Sequence, residues 1–149
     1  MNLDRYDYFN SNDYLDYEFY SEGPNGRIKK IVLYTKIPNT DPPVYNLAFG
    51  DSNPNTGELD DMAISNNKDR QIVLATVANT VIEFSDNYGH CYIYAKGSTP
   101  SRTRLYQMGI TGLWKEITAV FDVYGLKENT WWKFTPNQVN YEAFLVKRK

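Results

Sequence analysis

The chain has 149 residues, 42% of them apolar, and a formal net charge of −2, the profile of one soluble globular domain long enough to bury a sizeable core. That charge argues against a general nucleic-acid coat, although a local basic patch is compatible with it. A single cysteine, Cys91, excludes an internal disulfide and a cysteine-rich zinc site.

The unusual component is aromatic. Thirteen tyrosines stand beside seven phenylalanines and three tryptophans, and tyrosine favours strands and half-wet surfaces. Met1 to Tyr6 shows no basic start followed by an apolar run, so no signal peptide is expected. No apolar stretch approaches the roughly 20 residues that span a bilayer, and a cytoplasmic protein without membrane contact is expected.

Residues 1 to 13 read as a polar arm or a first edge element. Tyr14 to Tyr20 alternates Leu15, Tyr17 and Phe19 with Asp16 and Glu18, which predicts a half-buried strand. Gly23-Pro24-Asn25-Gly26 signals a turn, and Arg27 to Ile37 returns as the second arm of a hairpin. After Pro38 to Pro43, Val44 to Phe49 alternates again, and Leu59 to Ile64 is a short strand or part of a connection. A principal helix is predicted over Gln71 to Phe84, capped by Asn66 or Asn67 and ending at Asp86 to Gly89. Its wide apolar stripe includes Val73, Leu74, Val77, Ala78, Val81 and Ile82, so it should lie on a sheet.

Cys91 to Ala95 reads as a strand, and here the small, buried-hydrophobe reading of Cys91 outweighs a reactive thiol. Next comes the stretch with the most chemistry. Gly97 permits a turn, Ser98 or Thr99 can cap a helix with Pro100 at its first position, and Gly109 marks its expected end. A strand, a glycine turn and a helix start aim backbone N–H groups and a partial positive charge at one spot. Lys96, Arg102 and Arg104 add full charges, so Lys96, Gly97, Ser98, Thr99, Ser101, Arg102 and Arg104 form the candidate anion site. The competing reading pairs one arginine with Asp86 or Glu116 and leaves the other solvated. Trp114 to Tyr124 is predicted as a strand, Trp131 to Phe134 is ambiguous, and Tyr141 to Val146 is the last strand. The fold expected is α+β: one antiparallel or mixed sheet of about five to seven strands, with one long and one short helix on one side.

Tyr45 to Asp51, Asn66 to Asp69, Lys96 to Tyr106 and Tyr141 to Leu145 resemble an uncharacterised family of small bacterial proteins along nearly the whole chain. That resemblance implies no activity and transfers no catalytic residue. Strands followed by one long helix are also similar in element order to single-stranded nucleic-acid-binding modules of the Whirly and Pur type, an analogy of fold alone.

Other candidates are weaker. His90 reads as an exposed turn residue, and Asp51 with Asp60-Asp61 reads as a solvated acidic loop, since the calcium-loop spacing is incomplete. One ring of Trp131-Trp132 should face outward. No catalytic triad, phosphate-binding glycine loop or metal-binding histidine pair occurs, and no cofactor or metal is expected. The sequence thus suggests a non-enzymatic binding module with a phosphate-type site, with single-stranded nucleic acid as a candidate partner. The alternative is a protein-interaction or oligomeric structural domain, as tyrosine and tryptophan favour interfaces.

Overall fold

Alternating apolar residues turn the first third of the chain into a meander. In the computed structural model, which describes residues 4–60 and 66–149, it runs through β1 (Tyr8–Asn10), β2 (Asp16–Gly23), β3 (Gly26–Lys36) and β4 (Val44–Ser52). β1, β2, β3 and β4 pair antiparallel in sequence order. Residues 24 and 25 close the β2–β3 hairpin between Gly23 and Gly26, as the turn signal predicted. The inward set on β2 is Tyr17, Phe19 and Ser21, all essentially inaccessible. On β3 it is Lys30, Val32 and Tyr34. β5 (Leu59–Asp60) adds two residues to the far end of β4. The rest of the Leu59 to Ile64 expectation falls outside the described residues.

α1 (Arg70–Tyr88) then carries the chain over the sheet to β6 (Tyr92–Ala95), which lies parallel to β4. Parallel neighbours need such a crossover, and the helix supplies it. α2 (Pro100–Gly112) and α3 (Trp114–Val120) follow, then β7 (Phe121–Lys127), β8 (Thr130–Lys133) and β9 (Ala143–Arg148). β9 inserts between β6 and β7, giving the order β1-β2-β3-β4-β6-β9-β7-β8, with β5 on β4. All pairings but β4–β6 are antiparallel. The α+β class therefore holds, as a mixed sheet of nine strands with three helices among the described residues.

Four expectations need correction. The sheet exceeds seven strands because β1, β5 and β8 are short pieces whose pairing, rather than their own pattern, makes them strands. Trp114 to Tyr124 is not one strand. Its first seven residues are α3, which buries Ile117, and the alternation holds only from Phe121 onward, where β7 begins. α2 does not stop at Gly109 but runs three residues further. A Cβ at Gly109 would stand 2.4 Å from Leu74 Cδ1, so this glycine lets α1 and α2 approach rather than ending a helix. Finally, α1 begins at Arg70 with Asp69 in the cap position, and Asn67 is used elsewhere.

Asn67 is buried and joins the β2–β3 turn to the start of α1. Its Nδ2 donates to Ser21 Oγ at 3.0 Å and to the Gly26 carbonyl at 2.9 Å, while its Oδ1 accepts from the Asn25 N–H at 2.8 Å. Asp69 accepts from Tyr6 OH at 2.6 Å and from Ser21 Oγ at 2.5 Å. Burial, and then the bond to Asp69, push the Tyr6 phenol up from its ordinary value. Every member of this cluster has partners, as a buried polar cluster requires.

The C-terminal part of α1 is held by rings. Phe84 stacks on Tyr34 at 4.2 Å between centroids and on Tyr88 at 4.6 Å, and meets the edge of Tyr45 at 4.9 Å. Thr76 and Thr80 are fully buried yet satisfied, their hydroxyls donating back to the Ile72 and Val77 carbonyls at 2.7 Å. Removing the Phe84 ring should be costly: Phe84→Ala is expected to destabilise by about 3–5 kcal/mol in urea unfolding. A loss below about 1 kcal/mol would show that the stack is not the centre of the core.

Tyr17 behaves differently. Its ring is 1% exposed, and its hydroxyl has no hydrogen-bond partner among the described residues. Burial raises this phenol's pKa. Since an unmet buried hydroxyl costs about 1–3 kcal/mol, Tyr17→Phe should leave stability unchanged or increase it. A clear drop in denaturation midpoint would reveal a partner for that oxygen.

Candidate functional site

The expected anion stretch takes the predicted local form. β6 ends at Ala95, Thr99 caps α2 and Pro100 occupies its first turn. Thr99 Oγ1 accepts from the Arg102 N–H at 3.2 Å. The Gly97 N–H donates to Thr103 Oγ1 at 3.1 Å, and the Thr103 hydroxyl donates to the Thr99 carbonyl at 3.2 Å. The Thr103 N–H completes the turn by donating to the same carbonyl at 3.0 Å. Three of the N–H groups nearest the turn are thus engaged by the chain itself.

Charge is spread around this turn rather than focused. Lys96, Ser98 and Ser101 are exposed, Arg102 is half-buried, and the Arg104 guanidinium donates to Asn140 Oδ1 in the loop before β9. Asp86, a suggested partner of these arginines, instead accepts from Arg148 at 2.6 Å. Loss of backbone space at this turn should be felt directly, because a Cβ on residue 97 would stand 2.4 Å from the Thr103 nitrogen. Gly97→Ala is expected to cost about 1–3 kcal/mol by overpacking, whereas Ser101→Ala, at an exposed helix position, should be neutral within about 0.5 kcal/mol. Equal thermal midpoints for the two variants would show that the turn relaxes freely.

The other sequence candidates separate. His90 is exposed between α1 and β6. Cys91 is buried, and burial raises its thiol pKa, so it is held as the unreactive thiol. Asp51 pairs with Lys30, its neighbour across β3 and β4, and both side chains are nearly inaccessible. Asp61 lies outside the described residues, and among those described no cluster of three metal-ligating side chains occurs. No described helix is long and apolar enough to cross a membrane.

What the structure adds is a cavity over the middle of the sheet. Its volume is about 120 Å³. The floor is Leu47 and Phe49 of β4, Ile93 and Ala95 of β6, and Phe144 and Val146 of β9. Leu74, Val77, Ala78 and Val81 of α1 form one wall, and Tyr106, Gly109 and Ile110 of α2, with Leu113 just after it, form the other. In the middle of so wide a sheet, helix-facing side chains should be fully covered. Yet Leu47, Phe49, Ala78, Tyr106 and Ile110 are only half-buried. The helices touch where Leu74 meets Gly109, and the cavity lies beside that contact.

The cavity wall is almost purely apolar, and Tyr106 is its one titratable side chain among the described residues. The Tyr106 hydroxyl donates to the Phe49 carbonyl at 3.4 Å, and its ring lies 6.5 Å from Phe49 between centroids. One step along the same face of β4 stands Asp51 with Lys30, a polar group at the strand's C-terminal end. The C-terminal ends of parallel strands are where ligands sit in open α/β sheets. Such a wall can bind and orient an apolar body, but it offers no nucleophile or general base.

The sequence signalled this site faintly. The wide α1 stripe with Leu74, Ala78 and Ile82 was legible, but its apolar residues read as core. Nothing local said that α2 would leave part of that stripe uncovered.

The chain belongs to a family of unknown function (DUF6934), whose profile matches residues 2–149. No curated protein and no solved structure matches it.

Proposed function

We propose that this member of a family of unknown function is a binding module that holds a small, chiefly apolar ligand between α1, α2 and the sheet. The observation that carries the reading is the incomplete cover of Leu47 and Phe49 at the sheet's middle, beside a cavity of about 120 Å³. Apolar cavities of roughly 150 Å³ take a benzene-sized guest. A single ring or a short aliphatic chain therefore suits the space, with any polar end directed past Tyr106 toward Lys30 and Asp51. Binding rather than catalysis fits a wall without an acid, base or nucleophile.

The test uses toluene, indole and short-chain fatty acids as probes in thermal unfolding, with inorganic phosphate as a separate arm. A ligand that binds only the folded state raises the melting temperature through mass action. At least one apolar probe should do so in the wild type. Ala78→Leu, which fills the cavity from α1, should melt no lower than the wild type and lose that response. Absence of any apolar shift, or an undiminished shift in Ala78→Leu, overturns the reading. A phosphate shift that disappears in a combined Lys96→Ala and Ser101→Ala variant would instead move the site to the start of α2.

A further inference from the structure

The sheet ends at β8, and this edge is unlike the opposite one. β1 is three residues long, whereas β8 carries Thr130, Trp131, Trp132 and Lys133, all exposed. Trp131 is 39% and Trp132 56% exposed, on opposite faces of the strand. Edge strands usually avoid large exposed aromatics, since open N–H and C=O groups beside them invite another strand.

Hydrogen-bond parity shows which groups are open. Glu128 and Asn129 both have left-handed backbone, with φ of 52° and 60°, and form the two-residue turn between β7 and β8. The Phe134 N–H donates to the Val123 carbonyl at 2.9 Å, so even-numbered residues of this arm bond inward to β7. Thr130 and Trp132 share that parity, opposite Lys127 and Gly125. Trp131 and Lys133 therefore direct their N–H and C=O groups outward, with the Thr135 hydroxyl approaching the Lys133 carbonyl at 3.4 Å.

An antiparallel copy of the same strand satisfies these groups in one register. With Trp132 on a two-fold axis perpendicular to the sheet, Trp131 faces the partner's Lys133 and Lys133 faces the partner's Trp131. These are the outward-bonding residues, so the pairs that must exchange hydrogen bonds are those that can. The same pairing sets an ammonium against an indole twice, a favourable cation–aromatic contact, and brings the two Trp132 rings together on the helix-side face. Neighbouring registers put Trp131 on Trp131 and Lys133 on Lys133, or shift side chains to the wrong face.

We infer that β8 is a self-association edge, through which a second copy of this chain extends the sheet about a two-fold axis at Trp132. The occupant is a second copy because the strand is complementary to itself in hydrogen-bond parity and in its Trp–Lys pairs. Self-complementarity of one patch is what an isologous interface requires. The apolar cavity plays no part in this contact.

Sedimentation of the full chain over a range of concentrations should show reversible monomer–dimer exchange. Trp132→Lys places like charges opposite one another, and Lys133→Pro removes an outward N–H at an edge position where proline is tolerated. Each should weaken association at least roughly tenfold while leaving the thermal midpoint of the monomer nearly unchanged. Trp132→Cys should form an intermolecular disulfide under mild oxidation, because residues on the axis face each other, and Trp131→Cys should not. A strict monomer at the highest accessible concentration overturns the proposal, as does a dimer that survives both Trp132→Lys and Lys133→Pro. Cross-linking by Trp131→Cys in preference to Trp132→Cys would overturn the register.

Discussion

Four residues of β4 and four of β6 hold the two halves of the sheet together. Val44 to Leu47 pair with Tyr92 to Ala95, and among the described residues this short parallel ladder is the one strand pairing between β1–β5 and β6–β9–β7–β8. A ladder of that length has few hydrogen bonds of its own. Its stability must come from what lies on it, and α1 is both the crossover that makes it possible and the layer that covers part of it. The Phe84 stack anchors α1 over β3 and over the Tyr45 end of the seam. Leu47, Ile93 and Ala95 of the seam lie under the gap between α1 and α2.

This geometry explains why the cavity is where it is. α1 follows the meander and is fixed there by Tyr34, Tyr45 and Tyr88 around Phe84. The C-terminal part is organised by another aromatic group, in which Phe134 lies against Trp114, Tyr141 and Phe144. Gln107 ties α2 to this group through bonds with the Val139 carbonyl and the Tyr141 N–H. Each helix takes its aromatic anchor from a different half of the sheet, with Arg148 of β9 and Tyr106 of α2 bonding across to the other half. Between them, α1 and α2 come close at Leu74–Gly109 and Gln71–Gly112, and the middle of the sheet beside these contacts is left partly open.

The high tyrosine content now has a distribution. Part of it is core, as with Tyr17 and Tyr34. Another part lies on the helix-free face, where Tyr20 carries Arg27 above its ring at 3.9 Å and Tyr92 carries Lys147 at 5.7 Å. Tyr94 meets the edge of Trp131 at 6.2 Å and so continues this face to β8. A ring with a polar tip can serve in both settings, since it buries area and still meets water or a neighbour.

The sequence by itself determined the elements whose period is unambiguous. Alternation in Tyr17 and Phe19, the Gly23–Gly26 turn and the wide stripe of α1 each obey one local rule, so the meander, the hairpin and the long helix were legible. Thr99 and Pro100 likewise made the start of α2 readable to the residue. Local pattern failed where a helix stood in for an expected strand, as at Ile117, and where a glycine had two uses, as at Gly109. Whether Gly109 ends a helix or admits a neighbour depends on Leu74, thirty-five positions away. Strand order depended on tertiary structure for the same reason: the insertion of β9 between β6 and β7 joins segments with no shared local signal. The candidate site divides along this line. The charges and cap around Lys96 to Arg104 were visible because they are neighbours in sequence, but the bonds that engage their N–H groups were not. The cavity could be decided only by packing, because a half-covered Leu47 and a buried one are the same residue until two helices settle how far apart they lie.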